Sequence, residues 1–538
     1  MFRTLNSFFT KHPLVRDALL WAIPSILFGA FLRMLLMTYM PYAYWGSDSG
    51  SYFGFARRLL TTGDVSLNAK RRYIYPFWML FVAMLPGSAL RWTAWLQHLL
   101  GLATLVPLAY TVRKLFTHWR WVIVPVTVLF AGLPVIIWYE HELIGECLFV
   151  DFVIWACAGW AAWAGARNPR RSQELWWWFF IPFALMLLTK PSGRFYLPGI
   201  VLGFVLVRGW RMLNWRHGVA FLAVMLLTLG MGTDAQSSWL LYSTAFPLTR
   251  LDTALHADYK AEIRDMVEES ITNIDTYYAE DRSGFLRRPE DATGRPLWTG
   301  LGNDEKKKIK IYKELALEGI KHRPDLFLYI SLQRVLASVN SAEFKQERFA
   351  GDTYANRFAH LYDEMLKDDP DYLRFLFSLP RKASIPDYEE VTRWVSPSPD
   401  SRPATIMQDY VGTFSETVNF FQTPETVKRG GVQRGEATKT KGELSTFRPT
   451  FLGWWLVAGM ILSMLSSCYR NTLGVWTLAV CSYLFGTFLL GVPSPRYFSP
   501  AWPTMVLLLA IPVECFLQLT KMAVLKLQRG ETVTKIEG

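Results

Sequence analysis

"ALLWAIPSILFGAFLRMLLMTYMPYAYWGSDSGSYFGFARRLL" runs from Ala18 to Leu60, and its reading decides the fold class. Ala18 to Met40 is apolar and long enough to cross a bilayer, which takes about 20 such residues in a helix. Arg3, Lys11 and Arg16 precede it, and flanking positive charge holds that side in the cytoplasm. The stretch that follows therefore emerges on the outer face. There Tyr52, Phe55, Ala56, Leu59 and Leu60 fall at i, i+3, i+4, i+7 and i+8, the spacing of an amphipathic helix lying on the membrane. Asp48 sits at or just before that helix's N-terminus. Capping by Asp48 or Ser47 is the structural alternative to a chemical role.

The rest of the chain agrees. Its 538 residues are too many for one ordinary core, 51% are apolar, 19% are charged and 23 are Trp. A mean hydropathy of +0.15 is too low for membrane helices alone, so a large polar portion is expected. The net charge of +12 falls mostly in short loops between apolar segments. That pattern fits the positive-inside rule and argues against a nucleic-acid partner. The five cysteines lie in or beside apolar segments with no zinc-ligand spacing, so neither a structural disulfide nor a zinc site is expected. The first apolar segment is too long for a signal peptide, and no small-residue cleavage site follows it, so it reads as a retained helix.

About ten spans follow from hydropathy, at about 18–40, 90–112, 121–138, 144–164, 175–188, 195–207, 219–232, 450–467, 474–492 and 500–519. Every short loop assigned to the cytoplasm is basic, which places both termini inside. The expected organisation is an N-terminal transmembrane catalytic module, 1–233, whose first outer loop is 41–78. A partly helical extracytoplasmic insert, 234–448, follows, and then C-terminal helices with a cytoplasmic tail, 449–538. Within the insert, Ile311, Leu315, Leu317 and Ile320 show helical spacing. The run from Leu326 to Val339 reads as an interfacial amphipathic helix.

Some basic residues break the positive-inside rule. These are Arg57, Arg58, Lys70, Arg71 and Arg72 of the first outer loop, Lys190 and Arg194 in "TKPSGR", and Arg496 in "VPSPRYFSP". Cations gathered at the outer ends of spans suit an anionic lipid head group, phosphate above all; snorkelling is the simpler alternative for each alone. Carboxylates share that side. Besides Asp48, "WYEHELIGEC" carries Glu140, Glu142 and Glu146, and the last two share a helix face if that segment is helical. Asp151 lies deeper, with Arg33 a candidate partner for a structural ion pair. His141 with its acidic neighbours is weak evidence for a metal, since no second histidine is placed to help; His98 reads as a packing or hydrogen-bonded residue.

A carboxylate facing cations at the outer surface suits one reaction well. A sugar on a polyprenyl phosphate has a leaving group that needs cations rather than an acid, and the acceptor hydroxyl needs a base. Direct displacement inverts the anomeric configuration.

The chain resembles the C-type membrane glycosyltransferases, in particular the protein O-mannosyltransferases and bacterial aminoarabinose transferases. The resemblance is carried by Asp48, Tyr52, Ala56, Gly63 and "YIYPFW" in the first outer loop, and by "HELIGECLF" with Glu146 in the acidic position. "LLTKP" at Leu187 to Pro191 and the late Arg496, Tyr497 and Pro500 complete it. It covers roughly the first 210 and last 90 residues. The resemblance implies a mainly α, polytopic fold of glycosyltransferase-C type. It implies Asp48 as catalytic base, with Glu142 and Glu146 as further acidic candidates. Arg57, Arg58, Arg71, Arg72, Lys190, Arg194, Arg496, Tyr497 and Tyr52 would line the donor site. Two departures stand out: Ser49 replaces the usual second acidic residue, and the insert matches no known pattern. The first leaves a divalent cation open; no other cofactor is implied.

The function expected is therefore an inverting glycosyltransferase in the cytoplasmic membrane, with its active site facing the exterior. It would move a sugar from a polyprenyl-phosphate donor to a glycan, lipid or protein hydroxyl, with membrane lipids as its other partners. The alternatives are a ligase or polymerase using a pyrophosphate-linked oligosaccharide, and an anionic-lipid transporter or flippase.

Overall fold

The computed structural model describes residues 10, 12–46, 48–65, 72–116, 119–166, 168–206, 215–230, 253–257, 259–261, 305–340, 349, 370–377, 401–418, 420–422, 448–490 and 498–534. Among them the chain is mainly helical. Each of the ten segments expected to span is helical. They are α1 (Pro13–Tyr39), α4 and α5 (Ala89–Ala103, Leu105–Leu115), α6 and α7 (Ile123–Ala131, Pro134–His141), α8 (Glu146–Ala164), α9 (Pro169–Thr189), α10 (Leu197–Leu206), α11 (Trp215–Gly230), α16 (Phe451–Leu465), α17 (Val475–Leu490) and α18 (Trp502–Thr534). Among the described residues, four stretches are long and apolar enough to cross a membrane unbroken: α1, α4 with α5, α8 and 499–525. Two bent pairs raise this to six, α6 with α7 at 53° and α16 with 470–487 at 107°. The chain is a multi-pass membrane protein.

The stretch between α1 and α4 holds α2 (Ser49–Thr62) and α3 (Ile74–Ala83). The stripe of α2 faces two surroundings. Tyr52, Phe55 and Ala56 are buried, whereas Leu60 is exposed. The helix stops at Gly63, which takes a left-handed φ of +72° and returns its N–H to the Leu59 carbonyl. Local chemistry starts other helices: Asn168 accepts from Arg170 N–H ahead of Pro169, and Thr450 accepts from Gly453 N–H.

Helix α8 is the hub, buried on nearly every side and packed most closely on α9. Lipid supplies no hydrophobic drive between helices, so close backbone approach at small residues matters more. A Cβ at Gly159 would collide with the backbone of Trp178 and Phe179. Around that contact Trp160, Trp163, Trp176, Phe179 and Phe204 pack edge to face with centroids 5.2–6.2 Å apart. By contrast α1 exposes Leu20, Leu27, Phe31 and Met34 along one stripe while burying Leu32, Arg33, Leu36 and Met37. Such a stripe suits acyl chains.

Four helices of the insert are described: α12 (Glu305–His322), α13 (Pro324–Asn340), α14 (Pro370–Phe377) and α15 (Arg402–Thr417). Ile311 and Leu315 are buried as their spacing predicts, but Leu317 is exposed. Helix α13 packs against α17, α14 against α4 and α15 against α1. Side-chain bonds fasten these contacts: Ser88 Oγ donates to the Leu376 carbonyl at 3.0 Å and Tyr410 to the Gly132 carbonyl at 2.5 Å. A two-residue antiparallel pair, β1 (Phe421–Gln422) with β2 (Arg448–Pro449), closes the insert's base.

Candidate active site

The site is assembled by one backbone pairing that no local sequence rule foretells. After α1 the chain runs beside the segment linking α7 to α8. Tyr44 N–H donates to the His141 carbonyl at 2.8 Å, and Leu143 N–H donates to Tyr44's at 2.9 Å. Ser49 staples the junction. Its hydroxyl accepts from Gly46 N–H at 2.9 Å and donates to the Leu143 carbonyl at 2.8 Å. The start of α2, and Asp48 with it, is thereby set against the "EHELIGE" segment.

Asp48 occupies the N-cap position of α2, but its side chain makes no capping hydrogen bond. Capping alone therefore does not account for the residue. Glu142, 8% exposed, lies so close to Gly46 that a Cβ there would strike its carboxylate, and its other oxygen accepts from Trp138 Nε1 at 2.9 Å. Glu146 opens α8, buried, and accepts from Lys190 Nζ at 2.5 Å. Lys190 Nζ also stands 5.9 Å from the Phe149 ring. Tyr52 packs on Tyr75 with centroids 4.8 Å apart. Tyr75 donates to Gln97 Oε1 at 2.8 Å, and Gln97 Nε2 donates to the Glu140 and Glu142 carbonyls at 2.9 Å each.

The cations divide into groups. Arg72 is buried, with Nη2 3.4 Å from the Thr228 carbonyl, and lies within electrostatic reach of Arg194. Burial first, and then the Arg194 charge, lowers Arg72's pKa to about 10. Burial lowers Arg194 as well. Two guanidiniums held this close favour an anion between or beside them. Arg57 and Arg58 lie elsewhere, about 14 Å along α2 from Asp48 at roughly 1.5 Å per residue. Arg58 is exposed and pairs with Asp64 at 3.5 Å. Arg71, Arg496 and Tyr497 lie outside the described residues.

Two expectations change. Arg33 pairs with Glu140 rather than Asp151, through Nε at 2.5 Å and Nη2 at 2.6 Å. Asp151 instead takes the Cys147 thiol, 3.7 Å away and one turn earlier on α8. The second histidine missing from the local sequence is His98, whose Nδ1 is 3.0 Å from Glu140 and whose Nε2 is 3.2 Å from His141 Nδ1. It arrives on α4, 43 residues away. Even so, among the described residues no group of three or more His, Cys, Asp or Glu could hold a metal ion. Ser49's hydroxyl is committed to the loop staple. Sequence reasoning did not single out Gln97 or Trp138, and Tyr75 entered it only as part of "YIYPFW".

No family model matches the chain, nor does any curated protein sequence. Among solved structures it is similar to an oligosaccharyltransferase of Archaeoglobus fulgidus, crystallised with zinc and sulfate, at 10% identity and TM-score 0.38. That alignment covers 93% of this chain and 50% of the other, so the chain spans about half the length of that enzyme. It is also similar to the aminoarabinose transferase ArnT of Cupriavidus metallidurans bound to undecaprenyl phosphate, at 14% identity and TM-score 0.30, covering 91% of this chain and 77% of ArnT. The chain is thus a helical membrane protein similar to two membrane glycosyltransferases at low score, and its chemistry has to be argued from its own residues.

Proposed function

We propose that the protein is an inverting glycosyltransferase that takes a sugar from a polyprenyl-phosphate donor to a hydroxyl acceptor at the outer face of the cytoplasmic membrane. The observation that carries this reading is the stapled junction of Tyr44 and Ser49 with His141 and Leu143, which sets Asp48 beside the Glu142–Glu146 segment. Asp48 accepts the proton of the acceptor hydroxyl, whose oxygen forms the new bond to the anomeric carbon. The bond from that carbon to the phosphate oxygen breaks, and the electron pair leaves on the phosphate. Arg72 and Arg194 stabilise the charge that develops there. Lys190 serves the same anion from its place on Glu146, and Glu142 orients the acceptor. Arg57 and Arg58 meet surrounding head groups. The module at 1–233 supplies this machinery, and the insert at 234–448 selects the acceptor.

The transporter reading draws on one observation, the break between α6 and α7, since broken helices near the bilayer centre mark transport sites. Here Arg33 donates to the Ala131 carbonyl and Tyr410 to Gly132's, so the break is closed by protein. The deciding experiment measures release of free polyprenyl phosphate from lipid-linked sugars by purified wild type and Asp48→Asn, with membrane extract as acceptor source. Release by wild type alone supports the transferase and its base. A fully active Asn variant removes Asp48 from the mechanism. Loss of release on chelation would bring in a divalent cation.

A further inference from the structure

We propose that Phe349 of the insert is a positioning residue for Glu142, acting through Trp138, so that seating the insert and aiming that carboxylate are one event. The proposal rests on the acidic segment being the reacting centre. Phe349 is fully buried although it belongs to the insert. Its ring meets Trp138 edge-on, with centroids 5.3 Å apart at 69°. Tyr39, in the last turn of α1, donates to its carbonyl at 3.1 Å. Tyr44 packs on the same indole with centroids 4.8 Å apart. Trp138 is thus wedged between the first outer loop and the insert, and from that wedge its Nε1 donates to Glu142 at 2.9 Å.

An indole has two torsions to settle, and its N–H points at a carboxylate only while its faces and edges are packed. Removing Phe349 leaves a void beside Trp138 that allows the ring to turn. Glu142 then loses a hydrogen bond to its charged form and becomes open to water. A segment that touches neither donor nor acceptor through Phe349 itself still sets the direction of Glu142. When acceptor engagement shifts the insert, it shifts Glu142.

The test is carbodiimide labelling of carboxylates with glycinamide on the full-length protein in nanodiscs, read residue by residue by mass spectrometry. Phe349→Ala is expected to raise Glu142 labelling about tenfold, the size of one lost hydrogen bond to a charged group. Trp138→Phe should raise it comparably, because it keeps the ring but removes the donor. Phe349→Leu should fall between wild type and Phe349→Ala, and it reads the same contact if the Ala variant does not fold. Buried Asp151 and Glu514 report on global unfolding and should not change. In turnover, Phe349→Ala should lower kcat and leave donor affinity unchanged. Unchanged Glu142 labelling in folded Phe349 variants would overturn the proposal. If wild type turns nothing over but labelling responds as expected, the transferase reading fails and the coupling stands.

Discussion

Glu140 and Glu142 are two residues apart, and both are buried. Glu140 faces into the bundle. It takes both Arg33 nitrogens at 2.5 and 2.6 Å and His98 at 3.0 Å. Its charge is matched by a guanidinium, and Arg33's remaining donor goes to the Gly29 and Ala131 carbonyls. Glu142 faces outward to Gly46 and the neutral indole of Trp138. A carboxylate bound by a bidentate arginine is a tie in the scaffold, because its lone pairs are already used. Glu142 instead has a neutral indole N–H among its partners. Local sequence does not distinguish the two carboxylates.

The largest effect should come from the tie. Arg33→Ala leaves Glu140 buried and uncompensated, and is expected to cost about 3–5 kcal/mol, enough to prevent accumulation of folded protein. Adding Glu140→Leu should recover much of that loss in thermal unfolding. A stable, active Arg33→Ala protein would break the comparison from the structural side. Lys190 with Glu146 is the intermediate case. Lys190→Met should destabilise by roughly the same few kcal/mol for the same reason, and Lys190→Met with Glu146→Gln should restore stability. If Lys190 acts on the donor, the double variant stays inactive with weakened donor binding. If turnover returns with stability, this pair is a second scaffold tie.

Gly46→Ala comes next. The added methyl meets the Glu142 carboxylate, so a stability loss of about 1–3 kcal/mol is expected, together with a larger fall in kcat than in donor affinity. An unaltered kcat would mean that Glu142's direction does not matter. The smallest effect should be that of Arg58→Ala. Its partner Asp64 is 3.5 Å away and both side chains are more than 40% exposed, so stability should move by no more than about 0.5 kcal/mol. Retention of anionic lipid by the detergent-purified protein, read by native mass spectrometry, should fall instead, and unchanged retention would remove Arg58 from head-group contact.

Much of this arrangement could be read in advance. Tyr52, Phe55 and Ala56 announced the buried face of α2, and Ile311 and Leu315 that of α12, because helical period is a local property. Charge in short loops also predicts an outer location for Lys190, Arg194 and Arg72. The partners did not follow. Asp151 looked like Arg33's counter-ion because both are intramembrane, yet the helix break at Gly132 and Leu133 brings Glu140 to Arg33 instead. Leu60, on the same stripe, is exposed, as a residue of a helix lying on the membrane can be.

What the sequence determined by itself is what depends on neighbours along the chain and on the solvent. A run of apolar residues must satisfy its backbone within a helix in lipid, and basic loops choose the cytoplasmic side. The membrane class and the ten helical segments come from those rules, as does the expectation that Asp48, Glu142 and Glu146 lie on the outer side. Tertiary structure alone decided which carboxylate is neutralised, which histidine meets His141, and how the insert's Phe349 reaches Trp138. The physical reason is that a buried charge or indole is satisfied by whatever the packing brings within about 3 Å, and in a helical bundle those groups come from residues tens to hundreds of positions away.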